Sequence, residues 1–111
     1  MAMTKGIPVK IFQNNWTVIL TTSPKDLVVN NQKCKGSILY KDSVIFLDSN
    51  TSEKDRKRIL RHELSHAWLY ETQISLRDNY NEEDLCEFMA IYGSLIEEMA
   101  NDILAKLKGS K

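Results

Sequence analysis

The feature that most constrains this chain is an apolar stripe through its last third. Leu85, Met89, Tyr92, Ile96, Met99, Ile103 and Leu107 recur at intervals of three and four residues, the spacing that aligns side chains on one face of an α-helix. Asn81 stands where a cap belongs, and Glu82, Glu83 and Asp84 fill the first turn, where acids favour the positive end of the helix dipole. Gly109-Ser110-Lys111 closes the run. A helix with one long apolar face needs something to cover that face. The chain predicts a second helix just upstream. Ser52-x-x-Asp55 has the form of a capping box, with Asn50 and Thr51 as neighbouring caps, and Ile59, Leu60, Leu64, Ala67 and Trp68 keep helical spacing to about Glu71. Residues 72–81 read as the connecting loop.

The first half has the other periodicity. Val9–Phe12 and Thr17–Thr21 are rich in β-branched and aromatic residues, with Gln13-Asn14-Asn15 as turn chemistry between them. Ser23-Pro24 marks one short helical turn, and residues 30–36 form a polar loop ending at Gly36. Ser37–Tyr40 and Val44–Leu47, joined by Lys41-Asp42-Ser43, read as a hairpin. Strands followed by two helices make an α+β domain, a small mixed sheet ahead of a helix pair.

At 111 residues the chain suits one compact domain spanning 1–111. Its 15 basic and 15 acidic residues cancel, which argues against a general nucleic-acid or membrane-surface binder, since both need a net basic footprint. No apolar run approaches the ~18 residues of a membrane span. The N-terminal residues lack the apolar stretch of a secretion signal. Cys34 and Cys86, far apart and outside any CxxC spacing, are then expected as free thiols in a reducing compartment, the cytoplasm by default. Cys86 is expected to be a small buried residue on the inner helix face.

Residues 62–66 read His-Glu-Leu-Ser-His, an H-E-x-x-H motif that contains both histidines of the chain. Average residue usage places such a motif in a chain this short on the order of a few times in a thousand. Positions four apart lie about 40° apart around a helix and about 6 Å along it, so His62 and His66 can reach one tetrahedral zinc ion. Zinc lowers the pKa of a bound water to about 7. Glu63, at the edge of the same face, can accept that proton as catalytic base without ligating the metal.

Catalytic zinc takes three protein donors, and no third histidine exists. Candidates cluster at the start of the last helix: Glu82, Glu83, Asp84, Cys86 and Glu87. Glu83 and Glu87 share a face with Ala90, a small residue suited to close helix approach. Glu83 is the foremost candidate for third ligand, and Glu87 for orienting a ligand histidine. Glu82, Asp84 and Cys86 stay open as alternatives.

Motif and downstream helix together resemble the gluzincin type of zinc peptidase, whose third ligand is the Glu of an E-x-x-[AS]-D-like segment. Glu83-Asp84-Leu85-Cys86-Glu87 is similar to that pattern, with Cys86 for the small residue and Glu87 for the Asp. The layout over roughly residues 36–96 also resembles small phage- or mobile-element-associated metallopeptidases of the ImmA/IrrE type, and the minigluzincins. The resemblance implies a zincin-like fold and peptide-bond hydrolysis. It further implies that the strand Val44–Leu47 borders the cleft and offers a free side to an extended substrate.

The expected partners are a protein or peptide substrate, no membrane and no nucleic acid. So short a chain has little room for subsite walls, which suggests narrow specificity, toward one protein such as a repressor, or action with a regulatory protein. The alternative is a non-catalytic zincin-fold module with structural zinc; Glu63 argues against it. Tyr70, Tyr80 and Tyr92 are weighed as oxyanion donors and none is assigned. Lys54, Arg56, Lys57, Arg58 and Arg61 form a basic cluster read as a solvated face, and Trp16 and Trp68 as core or cleft wall.

Overall fold

The computed structural model describes residues 6–29, 32–73 and 81–109. Six strands, β1 (Gly6–Ile11), β2 (Asn14–Thr21), β3 (Val28–Val29), β4 (Gln32–Lys33), β5 (Gly36–Leu39) and β6 (Val44–Asp48), precede the helices α1 (Glu53–Thr72) and α2 (Glu82–Gly109). The four-stranded sheet runs β1-β2-β6-β5. β1–β2 and β5–β6 are antiparallel, whereas β2 and β6 pair in parallel. The fold is thus α+β with a mixed sheet.

Strand alternation fixes which face meets the helices. Ile7 pairs Val18, Val18 pairs Ile45 and Ile45 pairs Ile38, giving one apolar row across the sheet. Leu20, Leu47 and Gly36 make the next row. These rows share one core with Leu60, Leu64 and Ala67 of α1 and Phe88, Ile96, Ala100 and Ile103 of α2. On the other face, Ser37 donates its hydroxyl to the Asp26 carbonyl at 2.6 Å, and Thr21 donates to the Asp26 carboxylate at 2.7 Å. Asp26 lies in the 3-10 turn Pro24–Leu27, where Ser23 and Pro24 were expected to start one.

Both helix starts follow the sequence signals. Ser52 Oγ accepts from the Asp55 amide at 3.2 Å. Asn81 and Asp84 cap reciprocally, each side chain accepting from the other's amide at 3.1 Å. Gln73 ends α1 in the left-handed region; residues 74–80 of the expected loop lie outside the described residues. No described helix is long and apolar enough to cross a membrane.

Three expectations change. Phe12 is not a strand residue but begins the turn at φ 59°, packing edge-on against Trp68 and Tyr92. Part of the polar loop forms the small β3–β4 pair. The strand Val44–Leu47 has no free side, because β2 and β5 flank it. The free edge on that side of the sheet is β5, since the hairpin folds outward past β6.

Candidate metal centre

The metal-type residues sit on the middle turns of α1. His62 Nε2 and His66 Nε2 are 3.2 Å apart, their rings edge-on at 79°. Zinc–nitrogen bonds of about 2.0–2.1 Å at a tetrahedral angle would separate two donors by about 3.3 Å. The spacing matches the bite of one tetrahedral ion, and it is also the distance at which one imidazole N–H donates to the other ring nitrogen in the absence of metal. Burial pushes the His66 pKa below the ordinary histidine value, and the charge of His62 adds to this. The neutral ring so favoured is the form that binds metal.

Glu63 is buried, at 8% exposure, because β5 crosses directly over it. Gly36 makes the crossing feasible: a β-carbon there would lie 3.2 Å from Glu63 Oε2 and 2.6 Å from Ile59 Cγ2. Loss of water around Glu63 raises its carboxyl pKa above the ordinary range, and the nearby His62 charge offsets part of that rise. A more basic carboxylate is a better proton acceptor near neutral pH.

Tyr40 is the functional candidate that the sequence reading missed. It follows β5 by one residue, on the same alternating face as Gly36 and Ile38. Its ring lies 4.8 Å from that of Tyr70. Burial raises the phenol pKa, and the Glu63 carboxylate raises it further, so the two groups sense one another. The available signal was the strand alternation, 36, 38, 40, beside the motif helix. Of the tyrosines weighed from sequence, Tyr92 is committed to the aromatic cluster with Phe12, Trp68 and Phe88. Tyr70 contacts Trp16 and Tyr40, and Tyr80 lies outside the described residues.

Across from His62, α2 presents Met89, Gly93, Ile96 and Glu97 around an open hollow. The small residue at this approach is Gly93, whereas Ala90 is exposed. Glu97 is held by Lys57 at 2.9 Å and Arg61 at 3.1 Å, and these partners lower its pKa. Glu83 and Glu87 project from the first turns of α2 and are exposed, as is Glu82. Among the described residues, no group of three His, Cys, Asp or Glu side chains is gathered closely enough to hold a metal. The structure thus brings together His62, His66 and Glu63 and does not bring Glu83 to them.

Cys86 is exposed, against the expectation of a buried position. The first fully buried side chain of α2 is Phe88. The 28-residue α2 outruns the 20-residue α1, so among the described residues α1 does not cover its opening turns. Counting back one heptad from Gly93 gives Cys86, and from Met89 gives Glu82. That row faces the histidine side at least as directly as Glu83. No family model, curated protein or solved structure matches this chain.

Proposed function

We propose that this chain is a zinc-dependent peptidase with a zincin-like fold, in which His62 and His66 hold the metal and Glu63 is the catalytic base. The observation that supports it most is the 3.2 Å separation of the two Nε2 atoms, beside a buried carboxylate with raised basicity. Glu83 is proposed as the third donor. Because α2 faces His62 at Met89 and Gly93, Glu83 stands about 9–15 Å short of that level along the helix, so this proposal requires the start of α2 to shift as metal binds. Glu87, Glu82 and Cys86 are the competing donors, with Asp84 engaged in the Asn81 cap. Zinc, when bound, supplies a polarised carbonyl and an acidified water.

The chain's own residues do the rest. Glu63 takes a proton from the attacking water and passes it to the leaving amine. Its position under β5 keeps solvent from levelling its basicity. β5 is the edge of the sheet on the side of β6, and Gly36 fixes its close passage over Glu63. An extended peptide adding to that edge would bring its backbone alongside the motif. Free Cys34 and Cys86 suit a reducing, cytoplasmic setting.

Two measurements test this reading. Protein purified without added zinc should carry about one equivalent of zinc; no metal, with folding unaffected by chelation, would overturn the site. Glu63→Gln should keep both zinc and fold while reducing peptide hydrolysis by on the order of a hundredfold or more. Undiminished hydrolysis in that variant would overturn the mechanism.

A further inference from the structure

A second surface adjoins the hollow beside His62, sharing Arg58 and Arg61 with it, where the start of α1 meets the end of α2. It is a groove of about 630 Å³ floored by Leu104 and Leu107, with Lys54, Arg58, Arg61 and Lys108 among its walls. Six of its lining residues are cationic and only Glu53 is acidic, in a chain whose net charge is zero. Internal compensation is partial. Lys57 and Arg61 share the single carboxylate of Glu97, Lys108 pairs with Glu53 at 3.4 Å, and Arg58 approaches Asp55 no closer than 4.0 Å. Lys54 makes no ion pair among the described residues. The groove therefore has an apolar floor and a surplus of positive charge.

Its complement is on the same molecule, on the exposed flank of α2 that turns from α1 toward β1, where Leu95, Glu98 and Asp102 border a shallow hollow beside Pro8 and Val9. Glu87, Ile91, Leu95, Glu98 and Asp102 follow at intervals of four, four, three and four residues, one continuous row on a helix. Ile91 is 51% and Leu95 45% exposed, and one turn apart they form a small contiguous apolar patch. Acids flank them, and α2 carries no Lys or Arg before Lys106; Lys106 and Lys10 border the Asp102 end of the row, so its free negative charge is greatest toward Glu87. This row points away from the α1–α2 contact, so it cannot fill the groove of its own chain.

We propose that the chain self-associates head to tail, the outer row of α2 from one copy lying in the α1/α2 groove of a second. Ile91 and Leu95 cover Leu104 and Leu107, while Glu87 and Glu98 meet Lys54 and Arg58. Groove and row are different surfaces, so the contact is heterologous and each copy keeps one of each free for a further copy. Charge complementarity sets the register and weakens with salt.

Sedimentation velocity on the full chain tests this. Association should rise with protein concentration and fall as salt is raised. Lys54→Glu with Arg58→Glu, and separately Glu87→Lys with Glu98→Lys, should each weaken association roughly tenfold or more. All four side chains are exposed, and circular dichroism confirms that each variant is folded. An equimolar mixture of the two variants should associate again, because each reversed surface then meets its opposite. Ile91→Ser with Leu95→Ser should also weaken association without changing net charge. A chain that stays monomeric at every concentration in low salt overturns the proposal, as does a mixture that fails to recover. A groove that binds an added acidic peptide while the chain itself stays monomeric assigns the surface to another partner, and overturns it too.

Discussion

Gly36 and Glu63 are in near contact across the strand–helix interface: a β-carbon on Gly36 would sit 3.2 Å from Oε2 and 3.3 Å from Cγ of Glu63. The same carbon would sit 2.6 Å from Ile59 Cγ2, a side chain at 7% exposure with little room to yield. Gly36→Ala must therefore lift β5 from α1 or displace the carboxylate. Overpacking of this kind costs about 1–3 kcal/mol, and if Glu63 is the base proposed above, displacing it costs on the order of a hundredfold in rate. Denaturant midpoints and kcat measured on the same variant check both. If neither changes, β5 does not position Glu63.

Tyr40 leads to a second expectation. It stands on the β5 face that meets α1, close enough to Glu63 for the carboxylate to raise its pKa. A phenol there can donate to the oxygen of a substrate carbonyl as charge builds on it. Tyr40→Phe removes only the hydroxyl and keeps the ring contact with Tyr70. It should lower kcat by about a hundredfold, the order of one lost oxyanion donor, with KM and zinc content little changed. Equal kcat in the two proteins would leave Tyr40 with a packing role alone.

The contrast between Glu63 and Tyr40 shows what local pattern can reveal. The motif, the Ser52 and Asn81 caps and the strand alternation are short-range features, set by residues within a turn or two of one another, and all are legible in the sequence. Sheet order is not. β2 and β6 pair in parallel although 22 residues separate Thr21 from Val44, and nothing in either strand encodes its neighbour. That pairing encloses β6 and makes β5 the edge, which in turn brings Gly36 and Tyr40 to the motif helix. The exposure of Cys86 and Met89 has the same origin. Helical spacing identifies the apolar row, but the length of the covering helix decides how much of it is buried.

The proposed zinc site and its third ligand are tested by metal affinity. Glu83, Glu87, Glu82 and Cys86 occupy exposed positions in the first turns of α2, so replacing any one by Ala should cost little stability. Only the true donor should weaken zinc binding strongly, whereas an orienting residue should cost roughly 10–100-fold. Competition with a chromophoric chelator ranks the four variants. We expect Glu83→Ala to lose most. If Cys86→Ala or Glu82→Ala loses most, the row set by Gly93 and Met89 faces the metal.

Trp16 and Glu71 join the sheet to the end of the motif helix. The indole Nε1 donates to Glu71 Oε2 at 2.6 Å, and Asn14 donates to Oε1 at 2.8 Å. Trp16 is 1% exposed, so Glu71→Ala leaves a buried donor without its acceptor. That should cost about 1–3 kcal/mol, visible as a lower denaturant midpoint with an unchanged slope. Glu71→Gln keeps an acceptor and should lose less. Equal losses in the two variants would show that charge, rather than the indole hydrogen bond, carries the contact.

Protonation of His66 sets the last expectation. Its folded-state pKa lies below the ordinary value of 6.5, so in the window beneath 6.5 the unfolded chain binds more protons than the folded one. Stability of the metal-free protein should then fall as pH drops from 6.5 toward the folded pKa of His66. Above 6.5 both states hold the ring neutral, and this contribution is flat. Glu63 acts with the opposite sign. Its raised pKa makes the folded state the better proton binder above 4.5, so its contribution grows as pH falls. Glu63→Gln removes that opposing effect and should steepen the loss below 6.5, while His66→Gln should abolish the His66 component. Zinc adds a third signature, because a proton on His66 competes directly with the metal. The gap in melting temperature between zinc-loaded and chelated protein should therefore shrink as pH is lowered through the same window. A gap that stays constant down to pH values well below 6.5 would remove His66 from the metal site.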